Sequence, residues 1–166
     1  QKTFYFDWNL DPARTDYTMI QNQEINGKVD LIKLKNAFHR IVSENFILNS
    51  HIEIIKDDYY WVKNENIFDL EITYTDKIEE KTLEFAKKPF DLLNGPIYRF
   101  LIIHESENKS RLLMAIHHIA IDGVSTVQFL DDLSNYFNND NYKNPKCISE
   151  QISNINFLSK KFIDEI

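Results

Sequence analysis

The 166-residue chain has a single cysteine, Cys147, which excludes an internal disulfide framework and fits a reducing compartment. The stretch around it, residues 144–148, is polar and offers no electropositive setting for a reactive thiolate, so Cys147 reads as structural or incidental. Positive charge is also short. With 19 Lys and Arg against 26 Asp and Glu, the formal net charge is −7. No basic footprint for nucleic acid or an anionic membrane follows from that balance. No apolar run approaches the length of a membrane span, and residues 1–7 lack an h-region long enough for a secretory signal. Neither nucleic acid nor membrane is expected as a partner, and a cytoplasmic location is expected. No internal repeat is visible, and low complexity is confined to the Asn/Asp-rich stretch at residues 138–142. The chain opens on Gln1 rather than Met, and is expected to be trimmed or excerpted from a longer one.

What is present is an ordinary globular composition, 43% hydrophobic and 13% aromatic, enough for one domain with a sizeable core. Periodicity gives the order strand, helix, strands, helix, strands, helix, helix. Residues 17–25 read as a strand. Leu31, Leu34, Phe38, Ile41 and Val42 then form one apolar helical face behind Asp30 as N-cap. Residues 51–55 and 59–62 read as a hairpin around Asp57 and Asp58, and residues 68–74 as a further strand. A short polar helix at residues 78–87 is stopped by Pro89. Two strong strands follow at residues 97–104 and 111–117, joined by a charged turn. Apolar groups at Val127, Leu130, Leu133 and Phe137 are helically spaced, and a last helix is expected at residues 148–166. Strands and helices in this order imply a layered, mixed α/β sandwich.

The segment hardest to explain by folding alone is residues 115–125, AIHHIAIDGVS. Its histidine pair falls where a strand ends and a helix is about to begin. Successive strand side chains face opposite ways, so His117 and His118 cannot both address one pocket. Gly123 permits either a positive φ or a close backbone approach ahead of the helix. The helix N-terminus leaves backbone N–H groups that favour charge developing on a nearby carbonyl oxygen. An imidazole titrating near neutrality suits proton transfer from an attacking amine or alcohol.

Blander readings exist for each piece. Asp-Gly between apolar residues is a hairpin signal, but the helical spacing after it argues against a hairpin here. A lone histidine on an apolar strand is ordinarily a packed group, whereas the pair with Asp-Gly at this offset favours a site. His39, His51 and His104 show no metal-like spacing among themselves or with Cys147. The Tyr59, Tyr60 and Trp61 cluster fits strand packing better than a substrate channel. Ser125 and Ser134 lack the glycine-flanked elbow of a serine nucleophile.

Residues 117–123, HHIAIDG, resemble the HHxxxDG motif of the condensation domains of nonribosomal peptide synthetases. Residues 88–99, KPFDLLNGPIYR, look like the PFDLxxGPLxR segment that precedes the histidine strand in that family. Leu10, Asp11 and Pro12, with Asp16 and Tyr17, are more weakly similar to the family's opening. The family's first motif is not recognisable around residues 4–8. Its RHxxLRT segment appears as residues 44–50, with Leu48 and Ser50 in place and both arginines replaced, by Glu44 and Asn49.

The resemblance implies a chloramphenicol-acetyltransferase-like two-layer sandwich, a mixed sheet with helices, forming one lobe of a two-lobe condensation domain. It covers nearly all of the chain, residues 1–166, but only the N-terminal half of the family, so the isolated lobe is expected to be poorly active or inactive. The implied reaction is amide formation between an acyl or peptidyl thioester and an aminoacyl acceptor, both held on the phosphopantetheine arms of carrier protein domains. No directly bound cofactor and no metal are implied. The implied partners are the upstream and downstream carrier domains, the C-terminal lobe and an adenylation domain. His118 is expected to take the amine proton or to position the amine, and His117 to pack and orient the loop. Asp122 is expected to anchor the loop through an arginine, with Arg99 favoured over Arg40 and Arg14 within the chain and a residue from a missing segment as an equal alternative, and Gly123 to leave room beside the thioester carbonyl. Two alternatives stand beside this: a trimeric coenzyme A-dependent acyltransferase, in which HxxxDG also occurs, and a non-catalytic docking lobe for carrier proteins.

Overall fold

A computed structural model of the chain describes residues 2–56, 58–139 and 141–143. Cys147 and the helix expected at residues 148–166 lie outside the described residues. Two central strands, β5 (Tyr98–Ser106) and β6 (Lys109–His117), pair antiparallel and are apolar on both faces. They are flanked by β1 (Thr18–Asn26), antiparallel to β6, and by β4 (Glu71–Tyr74), parallel to β5. The mixed sheet therefore runs β1-β6-β5-β4, while β2 (Ser50–Ile55) and β3 (Asp58–Lys63) form a separate hairpin.

Alternation along the central strands sorts the core into two layers of contact. Tyr98, Phe100 and Ile102 of β5 join Leu112, Met114 and Ile116 of β6 under α2 (Leu31–Ser43) and α4 (Gly123–Asn138). Leu101, Ile103, Leu113 and Ala115 face the other way, toward α1 (Lys2–Leu10), α3 (Ile78–Lys87) and the hairpin. Helices layered on a mixed sheet are what the sequence pattern led us to expect, and the second face carries cover of its own. Among the described residues no helix is long and apolar enough to cross a membrane.

Helix α2 forms as its sequence predicts. The Asp30 carboxylate accepts the Lys33 N–H at 3.0 Å, and Leu34, Ala37, Phe38, Ile41 and Val42 make the buried stripe. Phe38 stacks on Phe100 with ring centroids 4.1 Å apart, and Phe100 meets Phe129 of α4 at 5.9 Å. Phe100 thus joins both helices to the sheet.

Three local differences from expectation have identifiable causes. Helix α1 was not foreseen, because an aromatic-rich run such as residues 4–8 has modest helix propensity. It is held by tertiary contacts: Tyr5 and Trp8 are buried, and the Trp8 indole N–H donates to the Phe90 carbonyl at 2.8 Å. The strand expected at residues 68–74 shortens to β4. The Tyr98 hydroxyl takes both backbone groups of Phe68, accepting its N–H at 2.9 Å and donating to its carbonyl at 3.2 Å. In the hairpin, Asp58, expected in the turn, instead opens β3 opposite Ile55, and Lys56 has φ 53°.

Phe100→Ala is expected to destabilise the chain by about 3–5 kcal/mol, the usual range for a truncated core phenylalanine. Leu83→Ala, at a side chain 53% exposed on α3, is the matched control and should stay close to neutral. Urea unfolding of the two variants against the parent chain measures the difference. Equal midpoints would show that the two helices do not depend on this ring.

Candidate active site

At the end of β6, two successive backbone donors are taken on opposite sides of the strand. The His117 N–H goes to the Ile97 carbonyl at 2.9 Å, and the His118 N–H goes to the Tyr17 carbonyl at 2.7 Å. The rings consequently part. His117 is 2% exposed, and its Nδ1 accepts the Ile119 N–H at 3.1 Å. With Nδ1 accepting, a neutral ring carries its proton on Nε2, a buried atom with no hydrogen-bond partner among the described residues. Burial, helped by the neighbouring His118, pushes the His117 pKa down to about 4 against a smaller opposing pull from Asp16, so the ring is uncharged at neutral pH.

His118 is only half-buried. Its imidazole lies against the Phe4 ring of α1, with centroids 4.9 Å apart and planes within 18°. The Nδ1 atom is buried and meets no hydrogen-bond partner among the described residues. Phe4 is itself met edge-on by Tyr17 at 4.9 Å, and the Tyr17 hydroxyl donates to Asp7 Oδ2 at 2.7 Å. Phe4, Asp7 and Tyr17 therefore frame the site. Sequence reasoning gave Phe4 and Asp7 no role, although Phe4 and Trp8 stand four residues apart, the spacing of one helical face.

Asp122 is exposed and serves as the N-cap of α4, its carboxylate accepting the Ser125 N–H at 2.8 Å. That bond holds the Asp122 carboxyl below the usual carboxylate range. The Asp122 carbonyl takes the Thr126 N–H, also at 2.8 Å. The Ser125 donor is thus spent on the cap and the Thr126 donor on the first intrahelical bond of α4. Gly123 does not have a positive φ, and a Cβ placed on it would meet nothing within 4 Å. Of the two reasons considered for glycine here, only close approach by something outside the described residues remains.

The expected pairing of Arg99 with Asp122 is not what the structure shows. Arg99 donates to the Phe85 carbonyl at 2.9 Å and the Lys88 carbonyl at 2.5 Å, and its guanidinium lies 4.1 Å over the Phe90 ring. Sheet parity gives the reason. Arg99 alternates with Tyr98 and Phe100, so it points to the α3 face, whereas α4 packs on the other. Burial brings the Arg99 pKa down to about 10, which leaves it charged at neutral pH. Arg99 nevertheless touches the site indirectly, since Phe90 meets the His117 ring edge-on at 6.1 Å.

Arg14 forks onto Asp16 at 2.7 and 2.5 Å, and Arg40 lies 4.4 Å over the Tyr136 ring. Glu44, one of the arginine replacements, accepts the Tyr136 hydroxyl and lies 3.9 Å from Arg40. Asn49, the other, is buried, and its carbonyl accepts the Asn64 N–H at 2.8 Å. The remaining histidines have local partners: His39 faces Asp69, His51 sits between Asn64 and Glu53, and His104 meets Ser110. Among the described residues no cluster of three His, Cys, Asp or Glu could hold a metal ion.

A family model described as Condensation domain matches residues 1–151. Bacitracin synthase 2 of Bacillus licheniformis is 30% identical over 128 residues, which is 75% of this chain and 5% of that protein. The starter condensation domain of rhizomide synthetase RzmA superposes with a TM-score of 0.75 at 14% identity, covering 82% of this chain and 35% of that one. The X-domain in a complex with OxyB from teicoplanin biosynthesis gives a TM-score of 0.71 at 18% identity, covering 81% of this chain and 31% of that one. The chain thus spans about a third of those two structures and a small fraction of the synthase. At such identities the superpositions establish the fold, which is chloramphenicol-acetyltransferase-like. With the family match running through the histidine segment to residue 151, the chain belongs to the condensation domain family.

Proposed function

We propose that residues 1–166 are the N-terminal lobe of a nonribosomal peptide synthetase condensation domain and carry its catalytic histidine. The reaction is amide formation between an acyl or peptidyl thioester on one carrier protein and the amine of an aminoacyl thioester on another. The amine nitrogen bonds to the thioester carbonyl carbon, the carbon–sulfur bond breaks, and the amine proton passes to the departing thiolate. His118 accepts a hydrogen bond from the attacking amine and conveys that proton. The observation that carries this reading is the unequal fate of the pair: His117 is sealed and neutral, while His118 reaches solvent at the strand end.

Tethering supplies the rest of the rate. Two reactants held on phosphopantetheine arms in one channel need only be oriented, and orientation can contribute about 7 kcal/mol or more. No directly bound cofactor enters the scheme. The partners are the two carrier domains, an adenylation domain and a C-terminal lobe that completes the channel, all in the cytoplasm. Support for a missing half comes from the open flank of the motif: Gly123 is uncrowded, and Val124 and Val127 on the first turns of α4 are 83% and 60% exposed. A docking role without catalysis is the second reading. It is favoured by Glu44 and Asn49 being committed to structural contacts, and by likeness to an X-domain found in complex with another protein.

Three outcomes follow from the catalytic reading. His118→Ala in the two-lobe domain is expected to cut single-turnover amide formation on carrier-loaded substrates by on the order of 10²- to 10⁴-fold, and an undiminished rate removes the ring from the reaction. The 166-residue chain alone should form little product until the second lobe is added in trans; equal rates with and without it would defeat the claim that the lobe is incomplete. The third outcome concerns pH. Because the folded pKa of His117 lies below that of an unfolded histidine, the unfolded chain binds the proton first as pH falls from about 6.5 to about 4. Stability contributed at neutral pH, about 3 kcal/mol, is lost across that window. Unfolding free energy followed against pH should therefore fall more steeply in the parent chain than in His117→Gln, and parallel curves would refute the burial of a neutral ring.

A further inference from the structure

We infer that Phe4 is a positioning residue for the histidine site: presented by α1, its ring sets the plane of the His118 imidazole and covers Nδ1, leaving Nε2 to meet substrate. The inference rests on the reading of His118 as the reacting group. A working imidazole is commonly oriented by a hydrogen bond from its second ring nitrogen to a carboxylate or carbonyl. Among the described residues His118 Nδ1 has no such partner and is buried. What touches the ring instead is the face of Phe4, 4.9 Å away and 18° from parallel.

Phe4 is in turn held from behind. Tyr17 packs edge-on against it, and the Tyr17 hydroxyl is fixed by Asp7 one turn further along α1. The Tyr17 carbonyl accepts the His118 N–H, so one residue steadies both the stacking ring and the backbone of its target. Arg14 lies 4.6 Å over the Tyr17 ring, and Trp8 ties α1 to the Phe90 carbonyl. The sp²-attached imidazole torsion is broad by itself, and a flat neighbour narrows it at no cost in hydrogen bonds. Removing that neighbour frees the ring to turn and lets water reach Nδ1.

The test uses the chain with isotope-labelled histidine and, in parallel, the two-lobe domain with carrier-loaded substrates. In Phe4→Ala the His118 ring-nitrogen signals are expected to move toward the averaged pattern of a free imidazole, while those of His51 hold as a control for the fold. In turnover, kcat should fall by roughly 10- to 100-fold at unchanged KM for both carriers, the scale of a misplaced reacting group. Phe4→Tyr, which keeps a flat ring, should restore both readouts, and Phe4→Ala should add no loss in the His118→Ala background. Unmoved His118 signals in Phe4→Ala, or a raised KM at unchanged kcat, would overturn the inference. Moved signals together with a fully active His118→Ala domain would keep the ring contact and overturn the reaction it is said to serve.

Discussion

The site depends on the last two rungs of β6. His117 is bonded toward β5 through Ile97, and His118 toward β1 through Tyr17. An antiparallel strand must offer consecutive N–H groups to opposite neighbours, so a pair of adjacent histidines at a strand end is split by the ladder itself. One ring goes into the core beneath α1 and α3, and the other stays at the rim. The register that enforces this is long: β1 pairs with β6 from Thr18 opposite His117 to Asn26 opposite Lys109. A slip of one residue would exchange the two rings, and it would also turn Leu113 and Ala115 to the wrong layer, which ties the geometry of the site to the burial of the core.

With that split in place, the local chemistry is one of hydrocarbon contact more than ion pairing. His117 is kept neutral by burial, and Phe4 covers one side of His118. Asp122 spends its charge on the start of α4. Arg99 uses its donors on two carbonyls at the end of α3 and lies over Phe90, whose ring meets His117. A loop anchored by a buried ion pair would incur a desolvation cost that good geometry only partly offsets. Anchoring Asp122 by its own helix cap avoids that cost, since the carboxylate stays in water.

Much of the scaffold was legible from the chain. The Asp30 cap and the apolar stripe of α2 are local, and so is the short helix at residues 78–87, whose bounds the polar run and Pro89 define. The histidine segment was placed correctly at a strand end because apolar residues before it and helical spacing after it are both short-range signals. What escaped was non-local. Helix α1 depends on Trp8 reaching Phe90, 82 residues away. The shortened β4 depends on the Tyr98 hydroxyl capturing Phe68. The misplaced partner of Asp122 could have been caught by parity alone, since Arg99 and the residues under α4 occupy alternate positions of one strand.

The departures from the family's arginine segment gain meaning in this setting. Glu44 is the C-cap of α2 and accepts the Tyr136 hydroxyl of α4, while Arg40 lies over the same ring. Where the family's segment has an arginine, this chain has a carboxylate that joins helices α2 and α4 on one face of the sheet. Among the described residues Asp122 is oriented by helix geometry and not by a salt bridge. Helix α4 therefore carries the constraint: its first turn sets Asp122 and Gly123, its last turns are pinned through Tyr136, and between them Phe129 locks it to Phe100. The loop that follows His118 is thus bounded at both ends by rigid elements, β6 behind it and α4 ahead.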